Sequence, residues 1–235
     1  MLTESENGTC DIGEIAVHTN VQRSRYAHTV NGTSHVSLRD LRLEHAVGSA
    51  LWIGGDSTTG VTIDNCTLAN SGTHGAELTG SHSTVSNSDI YDVGCDGVSV
   101  SGGDTVKLVS ANLSVVKNTI HAFARVSRTI RPGVAWGGCG ITVSGNEIFN
   151  APHSGIMIAP ASDGRGTNCT FEDNDLHDLC QGTADAGGFY AGRTWANRGN
   201  IVRRNKFRRF YQTEKMAQAT SVNGIYLDVR LIPNL

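Results

Sequence analysis

Val61-Thr-Ile-Asp-Asn65-Cys-Thr-Leu68, followed by Gly75-Ala-Glu-Leu78, decides how this 235-residue chain folds. The first segment alternates apolar and polar residues, breaks at Asn65, and alternates again. The second begins on a glycine and alternates. A period of two places one set of side chains on one face of an extended strand. Strands this short cannot bury that face alone, so each needs a neighbour with the same pattern.

The chain supplies the neighbours. Val36-Ser-Leu-Arg-Asp40-Leu carries the first pattern, which returns around Asn87, Asn118, Asn146, Asn174 and Asn205. From Asp40 the intervals are 25, 22, 31, 28, 28 and 31 residues. They average about 27.5, inside the window of roughly 20–50 residues expected of stacked repeats. The glycine-led pattern follows each time, at Gly75, Gly97, Gly133, Gly155, Gly187 and Gly224, with Ser49-Ala-Leu-Trp-Ile-Gly54 as an early variant. Two or three strands per period, joined by tight turns, make one rung of a solenoid. The fold expected is all-β, a parallel β-helix of about seven rungs, right-handed by the general crossover preference. It forms a single domain over 1–235, with an irregular segment at 1–30 and rungs over 31–229. The Asn column is expected to supply the left-handed turn residues and to hydrogen-bond along the stack. A leucine-rich repeat has a shorter period and stricter leucine spacing, and fits neither.

Composition agrees. Glycine is abundant at 28 residues and proline scarce at 4, and the charged fraction is 17% with a formal net charge of −3. No basic stripe points to nucleic acid, and no apolar run approaches the roughly 18 residues that span a bilayer. A monomer is expected. Six cysteines lack the C-x-x-C spacing of a zinc site; they read as small core or turn residues, with a Cys169–Cys180 disulfide as the alternative. Met1–Asn7 is polar and lacks the features of a secretion leader, although the fold class and five Asn-x-Ser/Thr triplets lead us to expect an extracellular protein. The expectation is therefore a piece of a longer chain, its stack uncapped near Leu235.

From column Asn to strand Gly takes 10 residues at Asn65 and Asn87, but 15 at Asn118, 13 at Asn174 and 19 at Asn205. Long insertions at one corner of a solenoid usually carry function, so the second half is where a site is sought. Four segments stand out there: Asn118 to Pro132, with Arg125, Arg128 and Arg131; Asn146 to His153; Asp185-Ala-Gly-Gly-Phe-Tyr-Ala-Gly-Arg193-Thr-Trp195-Ala-Asn-Arg198-Gly-Asn200; and Gly224-Ile-Tyr-Leu-Asp228. Together, over residues 85–228, they resemble a group of parallel β-helix proteins that includes glycoside hydrolase family 141, which acts on plant cell-wall glycans. The resemblance implies cleavage of an oligo- or polysaccharide by a pair of aspartates, which fall on Asp185 and Asp228, without an obligatory metal. A second acid expected after Asp228 is replaced by Val229.

Residue by residue, Asp185 reads as a carboxylate aimed into a cleft or as a turn residue before glycine. Asp228 reads as its partner or as a solvated strand end. His153, two residues before Gly155, sits beside Asp185 on the adjacent rung if the columns align. Arg193 lies near the level of Asp228 and reads as a substrate contact or a surface ion pair. Tyr190, Trp195 and Tyr226 are candidate sugar platforms, with core packing the alternative for the two tyrosines. The three arginines form either a strip for an acidic glycan or a solvated loop. The acids of Glu172-Asp-Asn-Asp175 are a candidate Ca²⁺ site but fit a plain turn better. Counting from the strand glycines sets Asp185 and Asp228 six positions apart, about 20 Å along a strand. A catalytic pair needs about 5–9.5 Å, so His153–Asp185 and Arg193–Asp228 are the alternative units. A polysaccharide lyase with Arg193 as base, and a non-catalytic glycan-binding segment, are the competing functions.

Overall fold

The computed structural model describes residues 3–4, 10–11, 26–55, 57–159, 165–192, 194, 196–211 and 222–228. Two short N-terminal strands, β1 (Thr3–Glu4) and β2 (Cys10–Asp11), and β3 (His28–Asn31) precede the first full rung. Rung 1 is β4 (Val36–Arg39), β5 (Arg42–Glu44) and β6 (Leu51–Gly54); rung 2 is β7 (Thr62–Asp64), β8 (Thr67–Ala69) and β9 (Ala76–Leu78). Rung 3 is β10 (Thr84–Ser86), β11 (Asp89–Tyr91) and β12 (Val98–Gly102); rung 4 is β13 (Leu113–Val116), β14 (Thr119–His121) and β15 (Val134–Cys139). Rung 5 is β16 (Ile141–Ser144), β17 (Glu147–Phe149) and β18 (Ile156–Ile158). After the short β19 (Gly166–Thr167), rung 6 is β20 (Thr170–Glu172), β21 (Asp175–Leu179) and β22 (Ala186–Gly192). Rung 7 is β23 (Ile201–Arg203), β24 (Lys206–Phe210) and β25 (Val222–Asp228).

The first strands of the rungs stack into one parallel sheet, the second into another and the third into a third. The expected architecture therefore holds, with seven full rungs among the described residues. Equivalent side chains line up in register. Leu38, Ile63, Val85, Val115, Val143 and Phe171 form one inward column of the first sheet, and all are fully buried. Leu43, Leu68, Ile90, Ile120, Ile148 and Leu176 do the same in the second. In the third, Ile53, Leu78, Val100, Trp136 and Ile158 complete the triangle.

The glycine that opens the third strand has a steric cause. A Cβ at Gly75 would lie 2.3 Å from the Ile90 side chain; at Gly97, Gly133 and Gly155 the corresponding overlaps are 2.4 Å with Ile120, 2.5 Å with Ile148 and 2.4 Å with Leu176. The inward residue of the second sheet fills that space, so a side chain at the corner would displace the core. In rung 6 the equivalent residue is Gly188, which faces Phe207 and Phe210, and not Gly187 as counting suggested. Ala186 and Gly187 lengthen β22 instead.

The Asn column divides into two roles. Asp40, Asn65 and Asn87 do take the left-handed backbone, with φ near +50°. In the later rungs that conformation falls one residue earlier, on Lys117, Gly145, Asp173 and Arg204. Asn118, Asn146, Asn174 and Asn205 form a ladder instead. Asn118 Nδ2 donates to Asn146 Oδ1 at 3.0 Å, Asn146 Nδ2 to Asn174 Oδ1 at 3.0 Å, and Asn174 Nδ2 to Asn205 Oδ1 at 2.9 Å. The same oxygens accept the backbone N–H of the preceding Asn, at 2.9–3.0 Å. The Nδ2 groups also reach the carbonyls of Val85, Val115, Val143 and Phe171. The ladder thus satisfies backbone groups that the turn leaves unpaired.

Cys66, Cys95, Cys139, Cys169 and Cys180 are free thiols, and burial pushes the Cys180 thiol up to about 12. Among the described residues no helix is long and apolar enough to cross a membrane.

Candidate functional site

The turn between the second and third sheets, just before the corner glycine, brings His153 and Asp185 together. Ile156 pairs with Phe189, so His153 is level with Ala186 on the next rung and adjacent to Asp185. Asp185 has a left-handed backbone, φ 54°. His153 is 3% exposed and its Nδ1 has no hydrogen-bond partner. Burial pulls its pKa down to about 4, and the negative charge of Asp185 opposes that shift. The imidazole is therefore uncharged at neutral pH, a hydrogen-bonding group beside a carboxylate.

A second grouping sits at the far end of the same strand. Tyr190 is in register with Tyr226, and Gly192 with Asp228. The Tyr190 hydroxyl donates to Asp228 Oδ2 at 2.6 Å, and the two tyrosine rings meet edge to face at 5.1 Å. Gly192 is needed here: a Cβ on it would come within 2.0 Å of the Asp228 carbonyl oxygen. The Asp228 side chain, like Tyr226, lies on the outward face. Tyr190 is 2% exposed despite facing outward.

The structure does not bring Asp185 and Asp228 together. Asp228 is level with Gly192, seven residues beyond Asp185, or about 23 Å at roughly 3.3 Å per residue. The gap is one residue wider than counting gave because Gly188, not Gly187, is the corner glycine. That distance is well beyond the roughly 5–9.5 Å of a hydrolytic carboxylate pair. Of the alternative units, His153–Asp185 is present. Arg193 and Trp195 lie outside the described residues.

The same corner holds His74 and Asp96, which attention to the second half missed, together with Arg131. His74 and Asp96 immediately precede the corner glycines Gly75 and Gly97, and Arg131 is two residues before Gly133. Asp96 is 4% exposed; its Oδ2 lies 3.2 Å from His74 Nδ1 and 3.8 Å from Arg131 Nη1. Beside them Glu77 accepts a hydrogen bond from Ser49, which contacts Thr73 at 2.9 Å. The offset of two residues that singled out His153 recurs at Arg131, whereas His74 and Asp96 stand one residue nearer their glycines. The three arginines do not form a free basic strip: Arg125 pairs with Asp92 at 3.3 Å and Arg131 with Asp96. Their loop, residues 122–133, borders two cavities of about 320 and 420 Å³ that share Asp92 and Arg125 as walls.

The acids proposed for Ca²⁺ are engaged by the next rung: Glu172 with Arg203 and Arg204, Asp173 with Arg204, and Asp175 with Arg208, at 2.6–2.8 Å. Among the described residues no group of three or more His, Cys, Asp or Glu is placed to hold a metal ion. The outward face of the second sheet carries a stack that was also missed, Tyr91, His121, Phe149 and His177, with ring centroids 4.9–5.2 Å apart and planes within 13°. Each inner ring spends both faces on its neighbours, so these rings serve the stack and offer no flat platform to a sugar.

Comparison with solved structures finds the same architecture at low identity. A pectate lyase, Pel9A, superposes with a TM-score of 0.58 at 12% identity, over 74% of this chain and 48% of the enzyme. A tailspike protein of E. coli bacteriophage HK620, solved with a hexasaccharide, gives 0.59 at 14%, over 85% of this chain and 38% of the tailspike. The Dettilon tailspike protein gives 0.53 at 16%, over 86% and 40%. The chain thus spans less than half the length of each of these. No curated protein sequence matches it. The model of the right-handed β-helix region matches residues 29–224, and with the stacked parallel sheets and in-register columns described above it shows that the chain belongs to that family.

Proposed function

We propose that the chain acts on polysaccharide and that its reaction is glycosidic hydrolysis, as the resemblance to glycoside hydrolase family 141 implies. The reaction class rests on that resemblance; the observation that carries a glycan as ligand is the placement of two carboxylates, each with its own polar neighbour, at opposite edges of the third sheet, Asp185 just ahead of β22 and Asp228 at the end of β25. Asp185 sits beside His153 at one edge of the third sheet, and Asp228 is held by Tyr190 at the other. About 23 Å of strand separates them, a span suited to contacts along an extended glycan. They serve as two separate contacts, and whichever acts in bond cleavage takes a different partner. In hydrolysis one carboxyl protonates the leaving oxygen while a second group activates water or attacks the anomeric carbon. Asp228 accepts the Tyr190 hydroxyl, which fixes its orientation for the second role. The solved relatives support a glycan as ligand: one is a pectate lyase and another was solved with a hexasaccharide bound.

The test is incubation with a panel of neutral and uronate polysaccharides, following new reducing ends and ultraviolet absorbance together. Reducing ends without absorbance, abolished in Asp228→Asn, are expected. An absorbing unsaturated product would establish β-elimination in place of hydrolysis, and glycan binding without any turnover would make the chain a binding module.

A further inference from the structure

We propose that Asp96 and Arg131, flanked by His74 and His153, form a contact site for an uncharged sugar residue, recognised through two neighbouring hydroxyls. The inference rests on the glycan-acting function above and adds a site to it.

The four residues stand at one corner on four successive rungs, rungs 2 to 5, spaced about 4.8 Å apart. Among the described residues seven buried side-chain polar atoms have no hydrogen-bond partner, and four are here: His74 Nδ1, Asp96 Oδ1, Arg131 Nε and His153 Nδ1. His74 Nδ1 is near Asp96 Oδ2 but misaligned for a hydrogen bond. Buried polar groups in folded proteins are nearly all paired, so four unpaired atoms on one corner mark a place that a ligand completes. Asp96 Oδ1 can only accept from a ligand and Arg131 Nε can only donate. A hydroxyl does both, and two adjacent hydroxyls of a sugar ring answer this acceptor and donor together. The way in is through Arg131: its side chain is 39% exposed while that of Asp96 is 5% exposed, so a ligand reaches the buried atoms by displacing Arg131 from Asp96.

Charge selects against an acidic sugar. Asp96 already engages Arg131, and Glu77 and Asp185 lie at either end of the row. A uronate carboxylate placed here meets like charge on each side, with no free cation among the residues of the row.

The test is calorimetric titration of the full chain with neutral hexasaccharides (xylo-, cello- and manno-) and with hexagalacturonate, for wild type, Asp96→Asn and Arg131→Gln. Thermal unfolding serves as the folding control, and Arg131→Gln, in a partly exposed loop, keeps the test valid if Asp96→Asn folds poorly. A neutral probe is expected to bind wild type and to lose about tenfold or more in each variant, as for a charge-assisted hydrogen bond, while hexagalacturonate binds more weakly than the neutral probe. A neutral probe that binds wild type and both variants equally overturns this site and leaves the glycan-acting function standing. Hexagalacturonate binding as well as the neutral probes overturns the selectivity and with it the proposal. Binding of no probe overturns both.

Discussion

Acidification should destabilise this protein through His153, and the size follows from its burial. Burial lowers the folded-state pKa from 6.5 to about 4. The unfolded chain therefore takes up a proton at this position through the pH window 6.5 to 4, where the native state does not. Stability from the uncharged native histidine is fully present above pH 6.5 and is lost as pH falls. The full shift is worth about 3.4 kcal/mol at roughly 1.36 kcal/mol per unit. Linkage gives a loss of about 2 kcal/mol at pH 5 and about 3 kcal/mol at pH 4. Urea unfolding at pH 7, 5 and 4, for wild type and for His153→Gln, isolates this contribution, because glutamine cannot titrate and other groups cancel in the difference. The stability of His153→Gln relative to wild type should rise by these amounts between pH 7 and pH 4. Parallel pH profiles would refute the reasoning, since they would mean that His153 charges as readily in the native state as in the unfolded one.

Two further outcomes test the stack. Asn146→Ala removes the carboxamide that donates to Asn174 and Val115 and accepts from Asn118, at 1% exposure; with buried groups left unpaired it should cost about 3 kcal/mol or more in urea unfolding, whereas a cost below about 1 kcal/mol would show that water replaces the ladder. Gly97→Ala sets a methyl 2.4 Å from Ile120 and 2.5 Å from the Gly133 carbonyl, so it should cost a few kcal/mol as an overpacked core position, while Gly145→Ala, strained in φ but 3.5 Å from its nearest neighbour, should cost about 1–2 kcal/mol; equal thermal shifts for the two would refute the steric account of the corner glycine.

The fold was legible because the same physical constraint acts on every rung. Inward positions must be apolar, and the corner must lack a side chain where Ile90, Ile120 and Ile148 enter. Those demands recur about every 27 residues and survive variation elsewhere. The Asn column was legible only in part. Its composition marks a turn, but Asn is suited both to a left-handed backbone and to side-chain hydrogen bonding, and composition does not separate the two. In the later rungs the ladder claims the Asn, and the left-handed turn is left to Lys117, Asp173 and Arg204. A left-handed conformation costs such residues about 1–2 kcal/mol. The bonds of the adjacent Asn, two apiece to otherwise unpaired backbone groups, are enough to offset that.

The site was harder to see for a related reason. Loop length directed attention to the second half, yet loop length reports where the chain has room, not where polar atoms converge. Register decides convergence, and register moves by one residue when a strand lengthens. The two residues added to β22, Ala186 and Gly187, were enough to make Gly187 look like the corner glycine. They leave Asp185 three residues ahead of Gly188, while His153 is two ahead of Gly155. His74 and Asp96 sit at the same corner in rungs whose turns are otherwise unremarked, each one residue from a glycine that packing fixes. The corner glycine is therefore the coordinate from which a site on this fold should be measured: it is set by the core, so offsets from it carry over from rung to rung, whereas distances counted from the Asn column absorb every insertion between the two.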